Sequence, residues 1–565
     1  MPSKPLNPPF RTANADATVA MPPARHWLGG GQLLLALSLL IALLVGVPVL
    51  GVLSNLFSGV PSAGTFTHLW STVLPEYLFN TVAIGLIVLA LAAVLGIGCA
   101  WLVAVFEFPG RRWFEWALVL PLAMPAYVVA YAYTDFLQFS GPVQTALRAQ
   151  FGWQAGQYWF PEIRSVIGAG ILFALVLYPY VYLLTRNAFL ERSPRLRDAA
   201  RVLGRGPWSI FFSVSLPLAR PAAAAGLALV LMETLADYGA VAYFGVPTLT
   251  AGIYKSWYAF SDRTAAAQIA AVLLLFVAAL MLLEQKSRGR ARYYAAGGRA
   301  VAHVRRRLHG RHAFGSVVFC LVPLLFGFFL PLAVLLRLLM HEDALQASSR
   351  YVGWLFNTVS AATVTSFIAV LICIVLAYAA RVMRSRWQSA CNRIVSMGYA
   401  IPGAVIAVGI LIPLSRMDNW ASDHGWQLGL AGSVVALIYA YLVRFLAVAF
   451  QSVQSGLAKI TPSMDASARS LGHGLMSMLL RIHTPLLWRS VLSAGLLVFV
   501  DVVKELPATL TVRPFNFDTL AVVTYQFAAD ERLAEAALPA LTIVAIAFVP
   551  VLLLARAIAS GRDGR

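Results

Sequence analysis

Asp198-Ala199-Ala200, three residues, Gly204, nine residues and Val214-Ser215-Leu216-Pro217 return 268 positions later as Ala466-Ser467-Ala468, Gly472 and Ile482-His483-Thr484-Pro485, with every interval kept. A turn of small residues ended by Gly, then an amphipathic stretch and a Pro that opens an apolar segment, predicts a short helix at a membrane surface. Small side chains let another protein approach closely, and Arg195, Arg197, Arg201 and Arg205 keep the first copy out of lipid. A chance Gly and Pro in a basic loop would explain one copy, but not two at one spacing.

Working outward, more of the chain is written twice. Leu78-Phe79-Asn80-Thr81-Val82 returns as Leu355-Phe356-Asn357-Thr358-Val359, and Ala123-Met124-Pro125 as Ala400-Ile401-Pro402, both at an offset of 277. Pro125 and Pro402 lack a backbone donor and are expected to kink equivalent helices. The 565 residues are 60% hydrophobic and 12% charged. A soluble domain carries about 25% charged residues, so a soluble enzyme is excluded. At roughly 20 apolar residues per crossing, segments near 29–53, 80–106, 114–138, 166–187, 220–245 and 264–284 precede a basic linker. Segments near 314–340, 355–380, 392–414, 428–450, 488–510 and 534–557 follow it. The fold expected is an all-α polytopic membrane protein of about 12 helices in two tandem six-helix modules. The modules cover 28–284 and 314–560, with a tail at 1–27 and a linker at 285–313. A same-topology repeat implies two halves related by an axis along the membrane normal, with a path between them.

Lys and Arg collect in cytoplasmic connections, and the parse meets that test. Ser54 to Phe79 holds neither, whereas the fourth connection and the linker are rich in Arg. Both termini are therefore expected in the cytoplasm. The net charge of +19 follows from the same bias and does not imply nucleic acid. Cys99, Cys320, Cys373 and Cys391 have no metal-ligand spacing and read as packing residues.

The twinned loop resembles the EAA loop of ATP-binding-cassette importer permeases, EAA-x3-G-x9-I-x-LP, whose coupling helices dock into ATPase subunits. The first copy departs by Asp198 for Glu and Val214 for Ile. The second has Ala466 where the acid stands, with Asp465 one position early, and Thr484 for Leu. The resemblance implies two fused type I (MetI-like) permease modules in a bacterial inner membrane. It assigns the coupling role to Asp198, Ala199, Ala200, Gly204, Leu216 and Pro217, and to Ala466, Ser467, Ala468, Gly472, Ile482 and Pro485. It also implies two copies of a separate ATPase, a periplasmic binding protein, and ATP with Mg bound by the ATPase and no cofactor on this chain. Met232 to Gly239, Lys504 to Leu510 and Arg513 to Leu520 look most like fused ferric-iron permeases; thiamine and phosphonate permeases are the alternatives.

Glu233 and Asp237 are four apart in the fifth segment, and Asp501 and Glu505 match them in the eleventh. An acid at a helix centre costs about 2.5–3.5 kcal/mol on insertion scales, so such acids face a cavity or a partner. These four are the candidate translocation path for a cation. The competing reading is structural neutralisation by Lys504 or Arg444. His341-Glu342-Asp343 reads as solvated residues at a span end, and Tyr127, Tyr131, Tyr133, Tyr178, Tyr180 and Tyr182 as core or interfacial belt; no metal site is established. The chain has no G-x4-G-K-[ST] phosphate loop, so it is expected to be a transport subunit driven from outside and not an enzyme. A major-facilitator transporter shares the 6+6 repeat, but Pro109-Gly110-Arg111-Arg112 supplies only the tail of its signature.

Overall fold

A computed structural model describes residues 25–57, 63–191, 194–288, 305–340, 350–383 and 385–560. Residues 1–24 of the expected tail, most of the linker and His341-Glu342-Asp343 lie outside them, and the first helix already begins at Arg25. Among the described residues, eleven helices are long and apolar enough to cross a bilayer. A bent pair, Arg111–Ala123 and Ala126–Phe151, turns by 90° at its break and makes a twelfth crossing when taken as one broken span. Counting that pair, the twelve expected segments each have a counterpart and are numbered as spans in chain order. The fold is an all-α polytopic bundle. Among the described residues, the one strand pairing is a two-residue parallel bridge of Phe106–Glu107 with Arg306–Arg307.

The proline positions break their helices outright, beyond the expected kink. Pro125 and Pro402 follow 3-10 turns (Leu120–Ala123 and Gly398–Ala400) and take extended ψ values of 139° and 142°. The segment expected at 392–414 is consequently two helices, Arg386–Met397 and the crossing helix Gly403–Asp423. The fifth and eleventh spans also start and end earlier than expected, at Pro207–Ala236 and Leu475–Val503. Each contains a wide π-helical turn, Phe211–Ser215 or Leu479–His483, just before Pro217 or Pro485. The prolines thus sit inside a continuing span and do not open one, because the wide turn has already interrupted the i→i−4 ladder.

The repeated Asn-Thr pair has a structural task. Asn80 Nδ2 donates to the Pro247 carbonyl (3.0 Å), and Thr81 Oγ1 accepts from the Leu249 N–H (3.0 Å). Asn357 and Thr358 repeat this with the Asp518 carbonyl (3.1 Å) and the Leu520 N–H (2.8 Å). Each pair pins the start of a short helix, Leu249–Tyr254 or Leu520–Ala529, to the second span of its half.

The first helix of each half crosses to the other half. Span one packs on the ninth span, so closely that a Cβ on Gly51 would collide with the Gly409 carbonyl oxygen, and one on Gly409 with that of Pro48. In return, Tyr133 of the third span donates to the Phe326 carbonyl of the seventh (2.6 Å), and Arg337 pairs with Asp135. Small residues at such crossings gain van der Waals contact, the main attraction available between helices in lipid.

Candidate functional site

Two features stand out: the twin loops and a cavity between the halves. Each loop is a nine-residue helix, Pro194–Val202 or Pro462–Ser470. Both end in the same two hydrogen bonds. Gly204 N donates to Arg201 O (2.8 Å) and Arg205 N to Ala200 O (3.1 Å); Gly472 N donates to Arg469 O (2.9 Å) and His473 N to Ala468 O (3.1 Å). This is the Schellman closure, which requires a left-handed residue after the helix. Gly204 (φ 75°) and Gly472 (φ 81°) supply it. The fixed interval from the third small residue to the glycine is therefore geometric, because that residue's carbonyl receives the closing bond. Ala200 and Ala468 are buried beneath the turn, while Leu203 and Leu471, each just before the glycine, are 79% and 78% exposed. The Asp198 side chain lies outside the described set.

The two loops are held differently. Under the first, Trp101 packs against Phe106, Phe189 and Phe211 at centroid distances of 5.9, 5.3 and 5.1 Å. Under the second, Asp465 receives Arg381 Nε (2.7 Å) and Nη2 (3.0 Å), and its Oδ1 lies 3.0 Å from His483 Nε2. Burial pushes the Asp465 carboxyl up, but the hydrogen bonds from Arg381 and His483 outweigh it and hold it below the ordinary carboxylate range. The acid displaced by one position in the sequence is thus turned inward. Only that displacement hinted at Arg381 and His483 as its partners.

A cavity of about 90 Å³ between the halves is lined by Glu233, Asp237, Asp501 and Glu505 together with Arg444 and Lys504. The four acids do converge, but not as two pairs on continuous helix faces. The fifth span ends at Ala236, and Asp237 turns extended (ψ 136°), its Oδ1 accepting from the Ala240 N–H (2.8 Å). The eleventh span ends at Val503, and Glu505 accepts from Ala508 N (2.9 Å), Thr509 N (3.0 Å) and Thr509 Oγ1 (2.6 Å). Each acid lies past a helix end because its carboxylate satisfies the free N–H groups of the next short helix.

Arg444 Nη1 lies 3.0 Å from Glu505 Oε1, and its Nη2 is 3.9 Å from Glu233 Oε2 in the other half. Lys504 pairs with Asp501 at 2.9 Å. The neutralising contacts therefore exist beside the cavity. With all six groups ionised, the lining keeps two carboxylates in excess. Tyr127 also lines the space, its buried hydroxyl without a hydrogen-bond partner. Tyr180 reaches it too, with its hydroxyl 3.5 Å from that of Tyr399. Tyr131, Tyr178 and Tyr182 are fully buried core residues. All four cysteines are buried and free. Among the described residues, no three His, Cys, Asp or Glu side chains come close enough together to hold a metal ion.

Residues 92–288 match the family described as binding-protein-dependent transport system inner membrane component. The chain is similar to the Fe(3+)-transport system permease protein FbpB 2 of Haemophilus influenzae, at 25% identity over 85% of this chain and 89% of that protein. It is also similar to the molybdenum transport system permease protein ModB of the same organism, at 30% identity over 34% of this chain and 80% of that protein. The sulfate transport system permease protein CysT of Escherichia coli matches at 28% over 37% of this chain and 73% of that protein. With the duplicated loops, the broken helices and the multi-pass bundle, these similarities place the chain in the binding-protein-dependent transport family, as an inner-membrane permease subunit of an ABC importer.

Proposed function

We propose that this chain is the fused permease of a ferric-iron importer. The observation that carries the reading is the cavity between the halves, whose lining holds two more carboxylates than cations. Molybdate or sulfate would meet Glu233 and Asp237, the two acids left over once Lys504 and Arg444 have paired, whereas a trivalent cation finds hard oxygen donors. The FbpB 2 similarity spans both modules, while the molybdenum and sulfate relatives each match about one. Spaced acids that form no chelating cluster suit a path, since conduction needs attraction weak enough for release.

In this reading, residues 28–284 and 314–560 are the two permease domains, and both termini are cytoplasmic. Two copies of a separate ATPase dock on the loops around Gly204 and Gly472. ATP-driven approach of the pair swings the halves, and a periplasmic binding protein releases its ligand into the outward opening. Alternating access then carries the ligand past a fixed path. The chain performs no bond chemistry, and ATP with Mg is held by the partner.

Vesicles containing permease, ATPase and binding protein test this directly. Labelled ferric iron should enter on ATP addition, while labelled molybdate and thiamine should not. Uptake of molybdate or thiamine in place of iron overturns the substrate, and uptake without any ATPase overturns the mechanism.

A further inference from the structure

The Asp465 carboxylate and the Arg381 guanidinium together join four elements. Arg381, at the end of the eighth span, grips the carboxylate with two nitrogens, and His483 reaches it from the eleventh span. The same guanidinium donates to the Leu457 carbonyl (2.8 Å), the last residue of the tenth span, and to the Ile460 carbonyl just beyond it (2.9 Å). Tyr378, one turn before Arg381, packs its ring 5.7 Å from the His483 imidazole and donates to the Leu475 carbonyl (2.7 Å). His483 is fully buried, and the Arg381 and Asp465 side chains are 15% and 10% exposed. Charge-assisted, two-pronged hydrogen bonds of this kind fix direction as well as distance.

The sequence of the first half carries no counterpart of these three residues. The two repeat offsets place Ala104 where Arg381 stands, Arg197 where Asp465 stands and Ser215 where His483 stands. Trp101, the counterpart of Tyr378, belongs instead to the aromatic cluster under the first loop.

We propose that Arg381, Asp465 and His483 form a positioning clamp that makes the second docking helix one rigid body with the eighth, tenth and eleventh spans. Work entering by the second loop passes through directed hydrogen bonds, and work entering by the first passes through aromatic packing. The clamp rests on the reading of both helices as ATPase docking elements. If the ATPase does not co-purify with the unmutated chain, that reading fails before the clamp is tested.

The test uses the complete complex in vesicles and reads cargo moved per ATP hydrolysed. The cargo is labelled ferric iron, or molybdate if the unmutated complex takes up no iron. Asp465→Asn should keep binding-protein-stimulated hydrolysis but move about tenfold less cargo per ATP, within the range of coupling between distant sites. His483→Ser, which installs the first half's residue, should lower the ratio about threefold. Arg381→Gln combined with Asp465→Asn should lose less than the sum of the two single losses, because the two share the Arg381–Asp465 link. An unchanged ratio in Asp465→Asn overturns the clamp. So does a proportional fall in hydrolysis and transport, the signature of lost protein alone. Should Asp465→Asn fail to assemble, the same two criteria apply to His483→Ser.

Discussion

Asp237 and Glu505 stand at the same point of the two halves, 268 positions apart, and face the same cavity. Glu505 accepts from two backbone N–H groups and the Thr509 hydroxyl and is paired with Arg444. Asp237 caps its short helix through the Ala240 N–H and has no close cation among the described ion pairs. The repeat therefore keeps what builds the fold and lets the chemistry of equivalent positions diverge. Glu505 is held as scaffold, and the carboxylate of its twin is the one that the proposed reading assigns to the path.

The widest contrast comes from removing each in turn. Glu505→Ala leaves the Arg444 charge buried without its main partner, at a cost of about 3–5 kcal/mol. It should appear as a collapse in folded yield and in thermal midpoint. Asp237→Asn keeps the cap, since Asn serves nearly as well as Asp there, so stability should hold while ion uptake falls at least severalfold. Equal stability losses in the two variants would break the assigned difference, and so would normal uptake by Asp237→Asn.

Much of this was legible in the sequence because duplication acts as an internal control. Asn80-Thr81 and Asn357-Thr358 showed that something at that point matters before the pinned short helices gave the reason. The spacing of Ala200 to Gly204 is a local closure, and local geometry writes itself into local sequence. The break at Asp237 was not legible, because its mark is the bond from its carboxylate to the Ala240 N–H, whereas Pro507 marks the break beside Glu505 and the segment expected at 488–510 overlooks it. The Arg444 bridge from Glu505 to Glu233 joins residues more than 200 positions apart, which no periodicity encodes.

The crossings of the first helices give the next effect in size. Gly51→Val and Gly327→Val each drive a side chain into a backbone carbonyl of the opposite half, that of Gly409 or Leu175. Overpacking of this kind costs about 1–3 kcal/mol, and here the two halves should respond alike. Gly46→Val, where a Cβ meets nothing, is the control. Thermal unfolding of the purified chain measures all three, and destabilisation by Gly46→Val equal to that by Gly51→Val would deny the close crossing. Smaller again are Gly204→Ala and Gly472→Ala. A left-handed residue with a Cβ costs roughly 1–2 kcal/mol, so both should loosen the helices Pro194–Val202 and Pro462–Ser470 by similar amounts and, if these dock the ATPase as proposed, weaken its co-purification equally. A one-sided loss would mean that the shared closure is not what fixes the motif's spacing.

The least expected effect separates the loops by pH. The Asp465 carboxyl is held below its ordinary value by Arg381 and His483. A depressed folded-state pKa contributes stability that is present above the unfolded value, about 3.9 for Asp, and lost as the pH falls through the folded one. The second docking helix should thus be fully clamped at neutral pH and loosen only on strong acidification, as protonation removes the charge that Arg381 grips. The aromatic packing under the first loop carries no such charge. Nitroxide labels at Leu203 and Leu471, equivalent and exposed positions, report the difference in one titration. The label at 471 should gain mobility below about pH 4 while the label at 203 changes little. Loosening of both in step would show that general acid unfolding, and not Asp465, sets the response. A label at 471 that stays fixed throughout would show that the second helix is held by its apolar contacts and that the carboxylate contributes nothing to its position.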